Sequence, residues 1–253
     1  MQTEKIVFSN RRQALAVSVT RQEETPEAIE ALRLPAPRPV IVWIGGAASM
    51  QPRYEVPISR VARMVAQIAQ EARAIIIDGA TASGVMAAIG QMYSQGSYEF
   101  PLVGVVAKQL VSWSNVPQKP RTDLMRKIRL AVTSMLVGSA GIPWPLDPHH
   151  THIFLVPGNW WGAESAWISH IATRLAGDYP SITVLSNGRP GGGICRQDVE
   201  YSLDANRPVL VMQGTGGWAD ELASQPPRSD LWEVVAADDE NNMRRIISAH
   251  LAG

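Results

Sequence analysis

The sequence predicts an α/β protein with a Rossmann-like, doubly wound, mostly parallel sheet and helices on both faces. Short continuous runs of Val, Ile and Leu alternate along the chain with stretches of helical apolar periodicity. Four of these runs end directly in glycine turns, and a fifth ends in Pro157-Gly158. Strands that are apolar on both sides are typical of a parallel sheet, because crossover helices cover both of its faces.

The apolar runs predict strands, in chain order, at residues 13–19, 40–44, 74–77, 102–106, 151–156, 182–186 and 208–212. A first helix is predicted to begin at Thr25, with Pro26 in its first turn, and to end before Pro35. Further helices are predicted at residues 58–72, over the stretch that carries Val85 and Met92, and at residues 164–176, 197–204, 218–224 and 238–251.

Residues 108–147 interrupt this alternation, because they are rich in Pro, Trp and basic residues. A helical apolar pattern is present only at residues 123–137. We predict an irregular excursion from the sheet here, either a lid or an oligomer contact. Since neither a repeat nor a long linker is seen, residues 1–253 are predicted to form a single domain.

Composition excludes several classes of partner. The 23 basic and 23 acidic residues give a formal net charge of zero, so neither nucleic acid nor a membrane surface is an expected partner. The single cysteine, Cys195, excludes an internal disulfide and a thiolate zinc site. The first ten residues lack the apolar region of a signal peptide, and no apolar run is long enough for a membrane span. The expected location is therefore the cytoplasm.

The glycine turns form the candidate ligand site. They lie at residues 45–47, 78–84, 187–193 and 214–217, and residues 158–165 follow the fifth apolar run. A parallel strand that ends in glycines brings backbone N–H groups to helix N-termini, which favour anions. The amides of Gly45, Gly46, Gly79 and Gly84 are expected to cradle a diphosphate. Asp78 is expected either to accept from a ribose hydroxyl or to cap a turn.

Four stretches share their order with a known family. They are Val-Trp-Ile-Gly-Gly-Ala at residues 42–47, the strand and Gly-Val-Met at residues 74–86, Leu-Asp-Pro-His-His-Thr-His at residues 146–152 and Gly-Thr-Gly-Gly-Trp-Ala-Asp at residues 214–220. Together they resemble the SLOG superfamily, in the branch shared by prokaryotic proteins and the N-terminal cytosolic domain of melastatin-type TRP channels. The resemblance covers about residues 40–224. It implies binding of an ADP-ribose-like or related adenine-nucleotide ligand, in many members as a sensor rather than an enzyme.

The turns and the resemblance together predict a set of ligand-binding residues. They are Gly45, Gly46, Ala47, Asp78, Gly79, Thr81, Ser83, Gly84, Val85, Met86, Gly158, Gly162, Glu164, Asn187, Gly188, Arg189, Gly191, Gly192, Gly214, Thr215, Gly216 and Gly217. Glu164 is expected either to bind ribose or to cap a helix. Five tryptophans fall in or beside the middle loops, and most are expected to pack structurally, while one or two are expected to stack on a ring; they are Trp113, Trp144, Trp160, Trp161 and Trp167.

The chain departs from the channel branch at two positions. Gly217 stands where that branch has an arginine suited to phosphate, and Ile168 falls near the place of a second arginine. Arginine supplies a bidentate charge that these residues lack. Either Arg189 replaces the missing arginine, or the ligand differs.

A more distant resemblance is to the Lonely Guy phosphoribohydrolases, whose signature is Pro-Gly-Gly-x-Gly-Thr-x-x-Glu. This chain has Pro190-Gly-Gly-Gly, but Ile194 and Cys195 replace the required Gly and Thr, and Asp198 replaces the glutamate. Asp198 is thus the candidate catalytic residue of an alternative function, nucleoside-monophosphate hydrolysis. Cys195 is expected to be a small buried residue rather than a nucleophile.

His149, His150 and His152 lie close to Asp147, but local hydrogen bonding is the preferred interpretation, and no metal or cofactor is predicted. The expected partner is a small nucleotide ligand. A homo-oligomer is also expected, together with a separate effector protein if the chain signals. A further alternative is an oligomerisation module without a ligand, in which residues 108–147 form the interface.

Overall fold

The structure, a computed structural model, describes residues 1–46, 50–113, 143–226 and 230–252. The strands in these ranges are β1 Thr3–Val7, β2 Gln13–Ser18, β3 Val40–Gly45, β4 Ile75–Asp78, β5 Leu102–Ala107, β6 Val111–Ser112, β7 Trp144–Pro145, β8 His152–Val156, β9 Ser181–Ser186, β10 Val209–Gln213 and β11 Trp232–Ala236. The α-helices are α1 Thr25–Ala31, α2 Glu55–Glu71, α3 Gly84–Gln95, α4 Ser165–Ala176, α5 Ile194–Asp204, α6 Gly217–Ala223 and α7 Glu240–Ala252.

Nine strands form one sheet in the order β1-β2-β8-β5-β4-β3-β9-β10-β11. All neighbouring pairs are parallel except β1 with β2, which are antiparallel. From β3 the chain moves outward through β4, β5 and β8, and it then returns to the other side of β3 with β9, β10 and β11. The strand order therefore reverses between β3 and β9.

Two helical layers cover the sheet. One apolar cluster joins residues of α2, α3 and α7 to one face, where Ile41 and Trp43 of β3 are buried. The other joins residues of α1, α4, α5 and α6 to the opposite face, where Val40 and Val42 are buried. Because alternate residues of β3 enter the two clusters, its apolar run is continuous rather than alternating.

The predicted Rossmann-like, mostly parallel fold is confirmed. Two strands of the nine-stranded sheet were not predicted, β1 and β11, which lie at its two edges. Both have residues with only partial burial, and so neither has a continuous apolar run. The predicted start of α2 at residue 58 was three residues late, and that of α5 at residue 197 was also three residues late.

Residues 114–142, with the predicted helix at 123–137, lie outside the described residues, and so does Ala47. At the two ends of this stretch, β6 and β7 form a short parallel pair. Within the ranges that the structure describes, no helix has both the length and the apolar character needed to cross a membrane.

Candidate functional site

The carboxyl ends of β3 and β9 lie side by side where the strand order reverses. Gly45 is paired in register with Ser186. The next amide, of Gly46, donates to the Ser186 carbonyl oxygen at 3.3 Å. In open α/β sheets, ligands bind in the crevice at such a reversal, outside the carboxyl ends of the strands.

Several of the predicted glycine turns meet at this point. The Val85 amide donates to the carbonyl oxygen of Gly46 at 3.1 Å, which places the start of α3 against the turn after β3. The Trp218 amide donates to the carbonyl oxygen of Gly188 at 3.2 Å, which places the start of α6 against the turn after β9. The structure therefore brings the turns after β3, β4, β9 and β10 together at one edge.

Glycine is required at this edge for close packing of one turn on another. A Cβ atom at Gly45 would overlap the carbonyl oxygen of Ser186. At Gly217, where φ is +59°, a Cβ atom would overlap the carbonyl oxygen of Gly188. A backbone approach this close is open only to glycine. These two glycines are thus explained by contacts within the protein.

The amides of the turn after β10 are already bonded inside the protein. Asp220 accepts from the Gly214 amide at 2.6 Å and from the Gly216 amide at 3.1 Å. The buried Asn187 and Thr215 join this turn to the one after β9, since the Asn187 amide donates to Thr215 Oγ1 at 2.8 Å. This turn therefore forms part of the wall of the site, but the Asp220 carboxylate already accepts from its Gly214 and Gly216 amides.

Two other helices, α3 and α5, also begin at this edge. Ser83, before α3, makes no side-chain capping hydrogen bond to the described residues, and Gly193, before α5, has no side chain that could cap the helix. The first backbone N–H groups of a helix have no partner within the helix, and the helix dipole adds partial positive charge there. The starts of α3 and α5 are therefore suited to an anion.

A buried network of three charged side chains lies beneath the end of β4. His150 Nε2 lies 2.8 Å from Oδ1 of Asp78, and His150 Nδ1 lies 3.2 Å from Oδ1 of Asp147. The Ala80 amide also donates to Asp78 Oδ1, at 2.7 Å. Within the described residues, Asp78 Oδ2 is buried without a hydrogen-bond partner. Asp78 is expected either to accept from a ribose hydroxyl or to cap a turn, and in the structure its Oδ1 caps the turn at Ala80 and joins the internal network with His150.

The two carboxylates decide the charge of His150. Burial would lower the pKa of His150, but Asp78 and Asp147 outweigh that effect and raise it to about 10. Burial would raise the pKa of Asp147, but hydrogen bonds from His149 and His150 lower it to about 2. The network therefore consists of an imidazolium between carboxylates. Gly90 makes room for the network, since a Cβ atom there would overlap the Asp147 carboxylate.

A second buried acidic pair lies between the starts of α4 and α5. Glu164 accepts from the Gly162 amide at 3.1 Å, and burial raises the pKa of Glu164. Burial raises the pKa of Asp198 to about 7. The neighbouring Ser165 hydroxyl lowers this pKa, and the Glu164 carboxyl raises it further. Among the described residues, Asp198 Oδ1 has no hydrogen-bond partner. Asp198 thus lies in the protein interior, close to the edge.

Cys195 is buried, as the sequence predicts. Burial and the nearby Asp198 raise the pKa of the Cys195 thiol to about 12. A thiol with so high a pKa stays protonated near neutral pH and is a poor nucleophile. Cys195 therefore has a packing role beside the turn after β9.

Four exposed or aromatic residues at this edge were not singled out by the sequence. Arg53 lies over the ring of Tyr54, with 4.8 Å from its guanidinium carbon to the ring centroid. Arg196 lies over the ring of Trp218 at 5.7 Å. Arg53 and Tyr54 are neighbours in sequence, directly before α2. Arg196 lies in the first turn of α5, whereas its partner Trp218 lies in α6. That pairing has no signal in the sequence.

The loop after β8 carries the largest exposed aromatic surface of the described residues. Trp160 is 63% exposed and Trp161 is 40% exposed. The loop reaches α5, since a Cβ atom at Gly162 would lie 3.3 Å from Ile194 Cγ1. The loop that carries Trp160 and Trp161 thus lies near the start of α5.

The remaining predicted residues surround this edge. The Gly191 amide donates to Glu221 Oε2 at 2.9 Å, and the Gly192 amide donates to the Arg189 carbonyl oxygen at 2.9 Å. Thr81 Oγ1 lies 3.2 Å from Ser83 Oγ beside the start of α3. Met86 is buried in the core, and Gly158 packs against Ala163. Within the described part of the chain, no group of three or more His, Cys, Asp or Glu side chains is arranged to hold a metal ion.

The parallel sheet, its helical layers and the crevice at the strand reversal define a Rossmann-like α/β protein. The chain belongs to the family described as SLOG in TRPM, prokaryote, whose sequence profile matches residues 38–250. No match was found among curated proteins.

Solved structures share the fold at low sequence identity. The X-ray structure of TM1055 is 14% identical, with a TM-score of 0.51 over 84% of this chain and 99% of that chain. The molybdenum cofactor binding protein from the phototrophic bacterium Rippkaea orientalis is 13% identical, with a TM-score of 0.50 over 84% and 96%. The molybdenum cofactor carrier protein MCP from Chlamydomonas reinhardtii is 17% identical, with a TM-score of 0.50 over 85% and 99%.

Proposed function

We propose that the chain binds an adenine-nucleotide-derived ligand of the ADP-ribose type at the carboxyl edge between β3 and β9. The observation that carries this proposal is the pair of helices, α3 and α5, that begin at the strand reversal without a side-chain cap among the described residues. The Val85 amide of α3 is bonded to the Gly46 carbonyl oxygen, but the helix dipoles and the remaining N-terminal amides of α3 and α5 favour a diphosphate. The turn after β10 is the contrasting case, because Asp220 already provides its anion.

The other parts of such a ligand find matching chemistry nearby. The exposed rings of Trp160 and Trp161 offer stacking surfaces for a base, and the loop that carries them contacts α5. Two proteins with a similar fold are named for binding or carrying molybdenum cofactor. A function in which binding itself is the output fits this fold. In this proposal the chain is a sensor, alone or with a separate effector protein.

Binding is better supported than hydrolysis of the ligand. A carboxylate that stabilises a ribosyl cation must be charged and must reach the ligand. Asp198 is instead buried, and its pKa is raised to about 7. The Ile and Cys at positions 194 and 195 also depart from the hydrolase signature. Release of free base from a nucleotide panel, abolished by Asp198→Ala, is the result that would favour the hydrolase instead.

Calorimetry with a small panel tests the proposal. The panel is ADP-ribose, cyclic ADP-ribose, AMP and adenosine, each titrated into the full chain. We expect saturable binding of at least one phosphorylated compound at one site per chain, and weaker binding of adenosine. Absence of binding to all the phosphorylated compounds would contradict the proposal. Size measurement with and without nucleotide tests the expected homo-oligomer and separates it from a ligand-free oligomerisation module.

A further inference from the structure

The turn after β10 needs basic side chains from elsewhere if a phosphate is to lie against it. Its Gly214 and Gly216 amides are bonded to Asp220, which leaves a carboxylate at this edge. The nearby Glu221 carboxylate accepts from the Gly191 amide. Position 217 is closed to any side chain, because a Cβ atom there would overlap the carbonyl oxygen of Gly188. The backbone geometry therefore excludes an arginine at this position.

Arg196 is held beside this turn by three features. Its guanidinium lies 5.7 Å from the centroid of the Trp218 ring, and its Nη2 donates to the carbonyl oxygen of Gly191 at 3.0 Å. Its side chain lies on Gly192, where a Cβ atom would come within 3.1 Å of its Nε atom. Only glycine allows the guanidinium to lie this close to the turn. Arg196 therefore has a defined position at the start of α5.

Arg53 is placed at the same turn through Tyr54. The Tyr54 ring packs on Gly216, where a Cβ atom would overlap the ring. The Arg53 guanidinium lies over that ring at 4.8 Å. The aromatic partner of Arg53 thus packs on Gly216, and the aromatic partner of Arg196 is Trp218, two residues further along the same turn.

Neither arginine forms an ion pair with a residue that the structure describes. The side chains of Arg53 and Arg196 are both exposed. The hydrogen bond to Gly191 uses one of the five N–H donors of Arg196. An arginine held by an aromatic ring, with its other donors free, is preorganised to bind a phosphate in a bidentate manner.

We propose that Arg196 and Arg53 form a two-arginine phosphate-binding site over the turn at residues 216–218. This proposal rests on the function proposed above, and it assigns the charge of the site to side chains outside the glycine turns. Arg196 is the principal contact, since it lies at the start of α5, where the helix dipole also favours the phosphate. Arg53, placed at this turn through Tyr54, supplies the second guanidinium of the site.

Titration calorimetry on variants of the full chain tests the site, with ADP-ribose, inorganic pyrophosphate and adenosine as probes. We expect Arg196→Ala to weaken the binding of ADP-ribose and pyrophosphate by about ten-fold to a hundred-fold, the range for a charge-assisted hydrogen bond. Arg196→Lys should lose less, and Arg53→Ala should lose less than Arg196→Ala. Adenosine binding should not change. The matched control is Arg174→Ala, an exposed arginine in the last turn of α4, which should bind like the wild type.

The outcomes separate this site from the proposed function. If the wild type binds ADP-ribose and both arginine variants bind it equally well, the site is contradicted and the function stands. If pyrophosphate binds and Arg196→Ala removes that binding while ADP-ribose does not bind, the site stands and the nucleotide function fails. If the wild type binds neither compound, both proposals fail. Circular dichroism of each variant confirms that a loss of binding does not reflect unfolding.

Discussion

His150 Nε2 and Asp78 Oδ1 lie 2.8 Å apart, and both side chains are buried. Through Nδ1 the same ring contacts Asp147, in the segment that follows β7. One imidazolium thus connects the end of β4 with a part of the chain about seventy residues away. Because β4 ends at the turn that leads into α3, this network supports one side of the proposed ligand site.

Substitution of His150 by Gln should destabilise the protein strongly. It removes the cation between Asp78 and Asp147 and leaves two buried carboxylates without a counterion. Breaking a buried ion pair from one side costs about 3–5 kcal/mol. Urea denaturation should show a loss of this size. The control is His149→Gln, whose ring is partly exposed and lies 3.4 Å from Asp147 Oδ2, and it should lose much less. Equal losses for the two variants would contradict the role of the network.

The same network predicts a pH dependence. Folded His150 has its pKa raised to about 10, whereas a histidine in an unfolded chain has a pKa of about 6.5. Between these values the folded state binds more protons, so the free energy of unfolding falls as pH rises through this window. The contribution of His150 to the free energy of unfolding is fully present below about pH 6.5. The difference in stability between wild type and His150→Gln should therefore shrink from pH 7 to pH 9.5. A constant difference would show that His150 is neutral when folded.

Substitution of Asp198 by Asn should stabilise the protein at pH 8. Burial raises the pKa of folded Asp198 to about 7, so at pH 8 the wild type holds a buried carboxylate. The Asp198 carboxyl adds most to the free energy of unfolding at low pH, where it is protonated, and this contribution is lost as pH rises from about 4 to 7. We expect Asp198→Asn to gain about 1–3 kcal/mol at pH 8 and less at pH 5. Glu200→Gln, an exposed change on the same helix, should have little effect. Destabilisation of Asp198→Asn at pH 8 would indicate that the carboxylate has an ionic or hydrogen-bonded partner.

Substitution of Gly217 by Ala should be costly, whereas Gly79→Ala should be tolerated. A methyl group at Gly217 would overlap the carbonyl oxygen of Gly188, and the φ of +59° disfavours alanine as well. At Gly79 a Cβ atom would meet nothing within 4 Å. We expect a loss of more than about 2 kcal/mol for Gly217→Ala and less than about 1 kcal/mol for Gly79→Ala, by urea denaturation. Similar losses would mean that the turns do not pack as described.

Substitution of Ser83 by Asp should stabilise the fold and weaken ligand binding. Ser83 precedes α3 in an extended conformation and makes no capping hydrogen bond. An aspartate there can cap the helix and occupy its amides with its own negative charge, with a gain of about 0.5–1 kcal/mol. The affinity for ADP-ribose should fall about ten-fold, because the carboxylate competes with the phosphate. Ser83→Ala loses no cap and is the control. Unchanged affinity in Ser83→Asp would exclude the start of α3 from the site.

The sequence predicts the central strands well because burial on both faces selects continuous apolar runs, as in Ile75, Ile76 and Ile77 of β4. The edge strands follow a different rule. In β1, Glu4 and Lys5 are exposed, so periodicity alone does not distinguish the strand from a loop. The early start of α5 at Ile194 depends on the positive φ of Gly193, a backbone feature with no periodic signal.

The glycine turns were predictable as a group, but their separate roles were not. The local sequence does not show that the Asp220 carboxylate accepts from the Gly214 and Gly216 amides, which precede it by six and four residues. The pairing of Asp78 with His150 depends on the adjacency of β4, β5 and the entry to β8, which is set by the whole sheet. Contacts of this kind depend on tertiary structure rather than on local pattern.

The position of bound ADP-ribose in a soaked crystal of the full chain tests where the ligand binds. We expect ligand density at the carboxyl edge between β3 and β9, with the diphosphate against the starts of α3 and α5 and with Arg196 in contact with it. Density at any other place, or none at saturating ADP-ribose in crystals whose edge is free of lattice contacts, would contradict binding at this edge.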